Sequence, residues 1–323
     1  SRSDVSPGTM PTLPHDRSHL LWNGEEGGGP TRLFTDSIDR WMDAMVQDEC
    51  GGGGGSEEEV QAVVNSRNPG MLAGQFVANR LISRHFSNCE IVWHVCEGGA
   101  IGTGDAILSV SGPASSVLRC ERVLLNVLGR MSGIATCTSE WVSSSGEMRV
   151  ACTRKTSWGL LDKWAVHVGG GLTHRLSRAD SLMIKENDLH VWVQEGFDET
   201  RAVSSAVNGI DLEANANFSV VEVSSVEQAI AAAEAWKNMQ IKRGGSERIV
   251  LLLDNMGVSG SAMANQSLIE QGLRGWCILE GSGGVIRSEL EIWAADAGVD
   301  LVSTSAMNRG VPPLNLSMRV VGD

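Results

Sequence analysis

The sequence predicts an α/β protein with two domains, a small N-terminal α+β domain over residues 34–141 and a C-terminal parallel sheet or α/β barrel over residues 142–305. Up to Trp141, the strand and helix patterns follow no regular order. After Gly146, short apolar strands alternate with helical segments, which is typical of a parallel sheet. The chain has 323 residues, of which 42% are hydrophobic, so each domain can bury a core.

Charge and composition exclude several classes of function. The net charge of −13 excludes a large basic surface for nucleic acid. No apolar run approaches the roughly 18 residues of a membrane span, and Ser1 to Trp22 lack the apolar stretch of a signal peptide. The seven cysteines are odd in number and form no CxxC pair, which favours reduced thiols in a cytoplasmic protein.

The first segment, residues 1–33, mixes proline, glycine, serine and charged residues without periodicity, and this predicts a mobile tail with no chemistry. Apolar residues then recur at helical spacing from Phe34 to Val46, and this helix is expected to end at Cys50. The glycines Gly51–Gly55 predict a flexible loop, because no GK[ST] follows that would make them a phosphate-binding loop.

The rest of the N-terminal domain is predicted to contain both strands and helices in an irregular order. We expect a strand over Glu58–Val64, a helix over Met71–Phe86, and two strands over Cys89–Cys96 and Ile101–Val110, joined by a hairpin-like turn. A long helix follows, with a further helical piece running to about Trp141. Its apolar stripe is formed by Val117, Leu118, Cys120, Val123, Leu124, Val127, Leu128 and Met131.

Six short apolar runs predict the strands of the second domain. These runs are Met148–Cys152, Leu182–Ile184, Val220–Val223, Ile249–Leu253, Cys277–Leu279 and Leu301–Ser303. A helix is expected over Val226–Lys242, where Ser224 to Glu227 resemble a capping box. A closed α/β barrel has eight strands, so six predict an incomplete or irregular barrel.

Polar residues follow these predicted strands at their carboxyl ends. In a barrel these ends meet on one face, where active sites of such folds lie. The residues in question are Thr153, Arg154, Lys155, Lys185, Glu222, Asp254, Ser282, Gly283 and Gly284. Because the residues come from independent strands, their shared position predicts an active site more strongly than it predicts scattered surface charges.

The types of these residues indicate an anionic ligand. Cations outnumber acids from Val150 to His190, and clustered arginines and lysines bind carboxylate or phosphate. The Ser282-Gly283-Gly284 loop before a helix expected near Val285 suits a phosphate. Glu222 and Asp254 are the acids at strand ends; they can bind ribose hydroxyls, hold Mg²⁺ through water, or pair with nearby lysines.

Several motifs, in this order, resemble the quinolinate phosphoribosyltransferase family. They are Glu121–Asn126, Arg130–Thr136, Thr153–Thr156, Ala165–Gly171, His174–Leu176, Ile184–Asn187, Leu253–Met256 and Ser282–Gly284. The similarity covers roughly residues 35–320. It implies an α+β sandwich domain, to which the C-terminal segment 306–323 is expected to return, and an open, incomplete α/β barrel of about seven strands.

The resemblance also implies roles for individual residues. The quinolinate-binding groups fall on Arg154, Lys155, His174, Arg175 and Lys185. Arg122 matches an arginine that the family supplies to the partner's active site in a homodimer. Glu222 and Asp254 match acids associated with ribose and Mg²⁺, and with Lys155 they are the implied catalytic residues. The phosphate loops fall on Ser282–Gly284 and on Ser303, Thr304 and Ser305.

The activity that the resemblance implies is transfer of a phosphoribosyl group from phosphoribosyl diphosphate to quinolinate with decarboxylation, a step of NAD biosynthesis. Two alternatives remain open, a related transferase that uses nicotinate or another base, and a non-catalytic ligand-binding homologue. The chain departs from the family pattern at Gly51–Gly55 and at Ser157, Trp158, Thr173 and Asp188. A further departure, Ser305 in place of a glycine, bears on the second phosphate loop.

Overall fold

The computed structural model describes residues 13–49, 55–194, 196 and 198–322. The predicted glycine loop falls mainly on residues 51–54, which lie outside the described residues. The elements of the first half are α1 (Arg32–Glu49), β1 (Glu59–Ser66), β2 (Gly70–Met71), α2 (Gln75–His85), β3 (Glu90–Trp93), β4 (Ala100–Ile101), β5 (Ala106–Pro113) and α3 (Ala114–Ser144).

The second half alternates strands and helices and ends in one strand that returns to the first half. Its elements are β6 (Arg149–Cys152), α4 (Leu160–Val168), β7 (Leu182–Ile184), α5 (Glu186–Gln194), α6 (Glu199–Asn208), α7 (Leu212–Asn215), β8 (Ser219–Val223), α8 (Val226–Arg243), β9 (Ile249–Asp254), α9 (Gly257–Glu270), β10 (Cys277–Ser282), α10 (Leu290–Asp296), β11 (Leu301–Thr304) and β12 (Leu316–Val321).

The N-terminal domain is built on an antiparallel sheet with the strand order β12-β1-β5-β3. The strand β12 pairs with β1 over six residues, from Gln61 opposite Val321 to Ser66 opposite Leu316. Residues 316–321 therefore belong to this sheet although they follow the barrel in sequence. The helix α3 is continuous to Ser144, so the predicted domain boundary at 141/142 falls inside its last turn.

The second domain is a parallel sheet of six strands in the order β6-β11-β10-β9-β8-β7. Its strands match the six apolar runs of the sequence. The expected seventh strand is reduced to one bridge, in which Leu172 pairs with Ala151 at the outer edge of β6. The chain cannot extend this bridge, because Gly169–Gly171 precede Leu172 and His174 has a φ of 54°.

Residues on the six strands alternate between two cores. Val250 and Leu252 of β9 face the barrel interior, whereas Leu251 and Leu253 pack under the helices. The barrel stays open along a seam, which we define as residues 173–181 between Leu172 and β7. The seam is covered from inside by residues 13–17, which we call the plug segment.

The plug segment differs from the predicted mobile tail. Leu13 packs inside the barrel and His15 is fully buried, while a 3₁₀ turn at Ser18–Leu20 and a bridge between Trp22 and Pro30 lead to α1. Of the predicted tail, residues 13–22 are therefore largely buried or half-buried, residues 23–28 are exposed, and residues 1–12 lie outside the described residues. The composition of these residues predicted a tail because they have no periodicity of their own. Their order comes from contacts with distant strands.

Two smaller predictions changed in detail. Helix α2 begins at Gln75 and not at Met71, because Gly74 has a φ of 106° and Met71 pairs with Ala100 of β4. The cap of α8 is Ser225, whose hydroxyl accepts from the backbone N–H of Gln228. Gln228 in turn accepts from the backbone N–H of Ser224, so the reciprocal cap uses a glutamine in the place of a glutamate. Among the described residues, every helix is too short or too polar to cross a bilayer.

Candidate active site

Two adjoining cavities open at the carboxyl ends of the barrel strands. The first, the cation cavity, has a volume of about 330 Å³ and is lined by Thr153, Arg154, Lys155, His174, Arg175, Met183, Lys185, Glu222, Leu252, Asp254, Glu280, Ser282 and Ser303. The second, the loop cavity, has a volume of about 510 Å³ and is lined by Thr153, Lys155, Asp254, Asn255, residues 282–286, residues 303–306 and Arg309. The shared lining residues make the two cavities one continuous site.

Together the cavities contain every barrel residue that the sequence predicted for the site. The reason is the parallel sheet, which brings the ends of β6, β7, β8, β9, β10 and β11 to one face. Arg122 is the exception. It lies on α3 and lines a different cavity of about 580 Å³, together with Arg130, Trp158 and residues 313–316.

The loop after β6 is held by a buried lysine. Lys163 is 1% exposed, and its ammonium donates to the carbonyls of Cys152 at 2.9 Å, Thr153 at 3.1 Å and Thr173 at 2.6 Å. Burial lowers the pKa of Lys163, but its three donors are all satisfied. Lys163 therefore ties the backbone that precedes Arg154 to the backbone that precedes His174, and it does not line the cavity.

A hydrogen bond from Asn308, which follows the last barrel strand, also fixes the loop after β6. Asn308 is fully buried and donates through Nδ2 to the carbonyl of Lys155 at 2.8 Å. No sequence pattern indicated Asn308, whereas Lys163 is a cation in the mainly apolar helix α4. With both ties in place, the side chains of Arg154 and Lys155 extend from a fixed backbone, and both residues are exposed to solvent in the cavity.

Arg175 presents a buried guanidinium to the cation cavity. It is 4% exposed, and it donates to the carbonyl of Ser181 at 3.1 Å and to Sδ of Met183 at 3.4 Å. Burial, followed by the charges of Arg154 and Arg178, lowers the pKa of Arg175. Nearby arginines thus repel one another in the free protein, and an anion between them would relieve this repulsion.

His174, which was predicted to bind quinolinate, lines the cation cavity, and its ring nitrogens are bonded to protein groups. Its Nδ1 accepts from the backbone N–H of Arg175 at 2.8 Å, and its Nε2 lies 3.0 Å from both carboxylate oxygens of Glu280. Burial lowers the pKa of His174, which favours the neutral ring. Both ring nitrogens are therefore occupied by protein groups, and the ring forms part of the cavity wall.

Glu280 is an additional acid that the sequence analysis missed. It lies in β10, is fully buried, and also lies 2.9 Å from Nε2 of His15. Burial alone would raise the pKa of Glu280, but its interactions with His174 and His15 outweigh burial and lower that pKa. A glutamate in the apolar strand Cys277–Ser282 was the available signal, because buried charges rarely occur without partners.

Glu222 and Asp254 occupy the ends of β8 and β9, on the side of the cation cavity that faces Lys185. Burial raises the pKa of Glu222, and the carboxylate of Asp254 raises it further, while Lys185 acts in the opposite direction. The two carboxylates are therefore close enough to repel each other. Such an arrangement suits a shared cation, which would relieve this repulsion.

The two loops beside these acids differ in their glycine requirement. Gly283 has a φ of 87°, and a Cβ there would lie 2.2 Å from Oδ1 of Asn255. Asn255 itself has a φ of 53° and donates from its backbone N–H to the carbonyl of Ser282 at 2.9 Å. Only glycine fits at 283, because Asn255 occupies the space of a side chain. Ser305 is absent from the positive-φ residues of the described chain, so a serine there adds no backbone strain.

The helix expected near Val285 begins later. A 3₁₀ turn covers Arg287–Glu289, and α10 starts at Leu290. The loop Ser282–Gly284 is therefore separated from a helix N-terminus by several residues. Its backbone N–H groups line the loop cavity without the support of a helix dipole at the first turn.

A parallel barrel whose strand ends gather cations around two carboxylates defines a class, that of α/β-barrel enzymes acting on anionic substrates. Two family models cover most of the chain, the N-terminal domain of quinolinate phosphoribosyl transferase over residues 39–132 and its C-terminal domain over residues 134–319. The chain belongs to the quinolinate phosphoribosyltransferase family.

Curated relatives and solved structures agree with this family. A probable nicotinate-nucleotide pyrophosphorylase [carboxylating] of Archaeoglobus fulgidus is 35% identical, over 82% of this chain and 95% of the relative. One of Methanothermobacter thermautotrophicus is 33% identical, over 81% and 89%. The crystal structure of NadC from Streptococcus pyogenes is similar with a TM-score of 0.76 and 25% identity, covering 90% of this chain and all of that one.

Proposed function

We propose that the protein transfers the phosphoribosyl group of phosphoribosyl diphosphate to quinolinate with loss of CO₂, giving nicotinate mononucleotide and diphosphate. Relatives at 33% and 35% identity are named nicotinate-nucleotide pyrophosphorylase [carboxylating], which is the same reaction written in reverse. The observation that carries the proposal is the cation cavity, where Arg154, Arg175 and Lys185 surround a space large enough for a pyridine dicarboxylate.

The cation cavity suits two carboxylates better than one. Guanidinium groups bind a carboxylate in bidentate fashion, and Arg154, Arg175 and Lys185 supply more positive charge than a single carboxylate neutralises. Quinolinate carries two adjacent carboxylates, so it can occupy both arginines at once. The buried floor of Leu252 and Met183 beside them offers apolar contact to the flat face of the ring.

Phosphoribosyl diphosphate would extend from the cation cavity into the loop cavity. Ser282 to Gly284 and Ser303 to Ser305 supply backbone and hydroxyl donors for its 5′-phosphate there. Lys155 lines both cavities and reaches the leaving diphosphate from the side of Asp254. This placement leaves the anomeric carbon between the loops and the pyridine site.

Glu222 and Asp254 would hold Mg²⁺, directly or through water. Carboxylate oxygens are the donors that Mg²⁺ prefers, and the mutual repulsion that raises the pKa of Glu222 fits a pair built for a cation. When bound, the ion would neutralise the departing diphosphate. The same two carboxylates lie where they can stabilise the oxocarbenium-like sugar that forms as diphosphate leaves.

The residues act mainly by holding the two substrates in register. Attack of the pyridine nitrogen on the anomeric carbon makes the nitrogen cationic, and this charge stabilises the carbanion formed when the neighbouring carboxylate leaves as CO₂. The chain therefore needs no separate acid or base to break that bond. Positioning of this kind is worth about 7–11 kcal/mol, and Lys163 and Asn308 fix the loop that carries Arg154 and Lys155.

A homodimer would complete the site. Arg122 is exposed on α3 and lines a separate cavity with Arg130, away from the strand ends. In this proposal the cavity at Arg122 faces the strand ends of a second copy, so that Arg122 adds a cation to the partner's pyridine site. A cytoplasmic location is part of the same proposal, and the odd number of cysteines without a CxxC pair supports it.

Substrate choice tests the proposed function. We expect kcat/KM for quinolinate to exceed that for nicotinate by roughly 10⁴-fold, since nicotinate lacks the carboxylate beside the nitrogen and leaves buried cations unpaired. Both substrates are assayed at one fixed, saturating concentration of phosphoribosyl diphosphate, with release of CO₂ as a second readout. A nicotinate value equal to that of quinolinate would favour a transferase for another base, and no turnover of either would favour a binding protein.

A further inference from the structure

The plug segment is attached to the stretch of chain that carries His174 and Arg175. The carbonyl of His15 accepts from the backbone N–H of His174 at 2.8 Å and from Oγ1 of Thr173 at 3.2 Å. The backbone N–H of Arg17 donates to the same Oγ1 at 2.8 Å. These bonds take the place of a neighbouring strand along the open seam, so the plug segment stabilises the backbone of the cavity wall.

The side chain of His15 makes a further contact, with the carboxylate of Glu280. Its Nε2 lies 2.9 Å from Oε2 of Glu280, and the same carboxylate receives Nε2 of His174 at 3.0 Å. The two imidazole rings meet edge to face at 4.7 Å, and Phe218 lies against both, at 5.1 Å from His15 and 5.7 Å from His174. All three polar groups are 0–3% exposed, so water does not compete for these bonds.

The positions of the protons follow from the remaining contacts. The backbone N–H of Arg175 points at Nδ1 of His174, so that nitrogen carries a lone pair and the proton is on Nε2. Nδ1 of His15 has no hydrogen-bond partner, and a proton there would be a buried unsatisfied donor. Both rings therefore donate from Nε2 to Glu280.

His15, His174 and Glu280 lie close enough together to hold a metal ion. With each ring donating from Nε2, the same three groups form a hydrogen-bonded cluster in which a single carboxylate is held between two rings. With either donor removed, Glu280 becomes free to turn toward the arginines of the same cavity.

We propose that His15 is a positioning residue of the active site, which holds Glu280 away from Arg154 and Arg175 and keeps both arginines available for an anionic substrate. Glu280 and the two arginines line one cavity, so a released carboxylate would compete with the carboxylates of the substrate for the same guanidinium groups. The identity of that substrate rests on the proposed function; the positioning role itself applies to any carboxylate ligand.

The test compares His15→Phe, which keeps an aromatic ring but loses the donor, with His15→Gln, which keeps an N–H donor. For His15→Phe we expect a rise of about tenfold in KM for quinolinate, the size that loss of one charge-assisted hydrogen bond gives. The KM for phosphoribosyl diphosphate should stay within about twofold, because that substrate lies in the loop cavity. His15→Gln should recover most of the affinity.

His19→Phe is the matched control, since it makes the same change at an exposed histidine in the 3₁₀ turn just after the plug segment. Direct calorimetric binding of quinolinate to each variant gives a readout without turnover, so that an inactive wild-type protein would refute the proposed reaction and leave the positioning role testable. An unchanged KM and Kd in folded His15→Phe would refute the role of His15. So would equal losses for both substrates, which indicate a structural defect alone.

If His15→Phe does not fold, the variant Glu280→Gln decides. A glutamine cannot compete for arginines as an anion, so adding the His15→Phe change to Glu280→Gln should weaken quinolinate binding less than threefold. A loss of about tenfold in the double variant relative to Glu280→Gln alone would contradict a role through Glu280.

Discussion

Glu222 and Asp254 show how a residue's neighbours decide its chemistry. Either carboxylate alone at a strand end would be an ordinary surface acid. Burial and the charge of Asp254 raise the pKa of Glu222, so Glu222 loses its proton less readily in the absence of a cation. Deprotonation of Glu222 and binding of a divalent ion are therefore linked, and each favours the other.

The variant Asp254→Asn tests whether the ribosyl end of the site can be impaired without an effect on the pyridine end. For Asp254→Asn we expect turnover to fall about 10²-fold, the usual cost of losing one electrostatic contact to a transition state, and the affinity for phosphoribosyl diphosphate and Mg²⁺ to weaken. Binding of quinolinate should stay nearly intact. Asp211→Asn, the same change at a helix cap outside both cavities, is the control; loss of quinolinate affinity with unaltered Mg²⁺ dependence would contradict the assignment.

The same variant has a consequence for pH. In the wild-type protein, Glu222 takes up a proton as the pH falls through its raised pKa, so the affinity for Mg²⁺ should fall there. Asp254→Asn removes the second cause of that rise, and the remaining decrease in Mg²⁺ affinity should move to a lower pH. Titrations of Mg²⁺ at several pH values measure both curves; an unmoved acid limb would show that Asp254 does not act on Glu222.

At the scale of elements, the loops after the strands hold the site together. Gly283 and Asn255 approach so closely that the loops after β10 and β9 behave as one unit, with Asn255 donating to the carboxylate of Asp254 at 3.1 Å. The loop proposed to bind phosphate and the carboxylate proposed to bind Mg²⁺ are thus coupled through the side chain of Asn255. A change in either loop should be transmitted to the other.

Two neighbouring glycines test this coupling. Both Gly283→Ala and Gly284→Ala place a side chain at positive φ, at a cost of about 1–2 kcal/mol. The Cβ at 283 also meets Asn255, whereas nothing lies within 4 Å of a Cβ at 284. We expect the KM for phosphoribosyl diphosphate to rise at least about tenfold more in Gly283→Ala than in Gly284→Ala. Equal effects of the two variants on KM and on the melting temperature would show that Asn255 can move without affecting the site.

The elements themselves were largely predictable from the sequence. All six barrel strands appear within three residues of the expected bounds, because buried parallel strands are short apolar runs between turn residues. The expected site residues of the barrel were found together for the same reason, since parallel strands share one carboxyl face. The prediction of a seventh strand was wrong. The backbone geometry at Gly169–Gly171 and His174 ends that strand after one bridge, and a pattern of apolar residues does not report this geometry.

The contacts that the sequence could not predict are those between distant segments. His15 and Glu280 are separated by 265 positions, and His15 lies in a stretch without periodicity, so no local pattern indicated their pairing. Asn308 binds the loop of Lys155 across 153 positions. Such contacts arise only once the barrel has formed and its seam is left open, and they determine which predicted residues face a ligand.

At the scale of the whole molecule, the proposed dimer makes a quantitative prediction. Arg122→Ala and Lys155→Ala chains should each be inactive alone. Mixed at equal amounts with exchange of subunits, half of the dimers are hybrids with one intact site each, so activity should return to about one quarter of the wild-type value.

The control for this experiment mixes Arg154→Ala with Lys155→Ala chains. Both residues line the cation cavity of the same subunit, so every site in a hybrid dimer would carry one defect and no activity should return. Hybrids of Arg122→Ala and Lys155→Ala that form but stay inactive would show that Arg122 serves its own subunit or none.

The two domains also exchange segments within one chain. Residues 13–17 enter the barrel, and β12 completes the antiparallel sheet of the N-terminal domain. On a ribosome that adds 5–20 residues each second, the plug segment waits about 10–50 s for Glu280 to be made. The edge of β1 waits for a similar time, until residues 316–321 emerge. The order of translation is therefore not the order in which the domains are completed. Until synthesis reaches β12, the nascent N-terminal domain exposes an unpaired strand edge of the kind that chaperones shield.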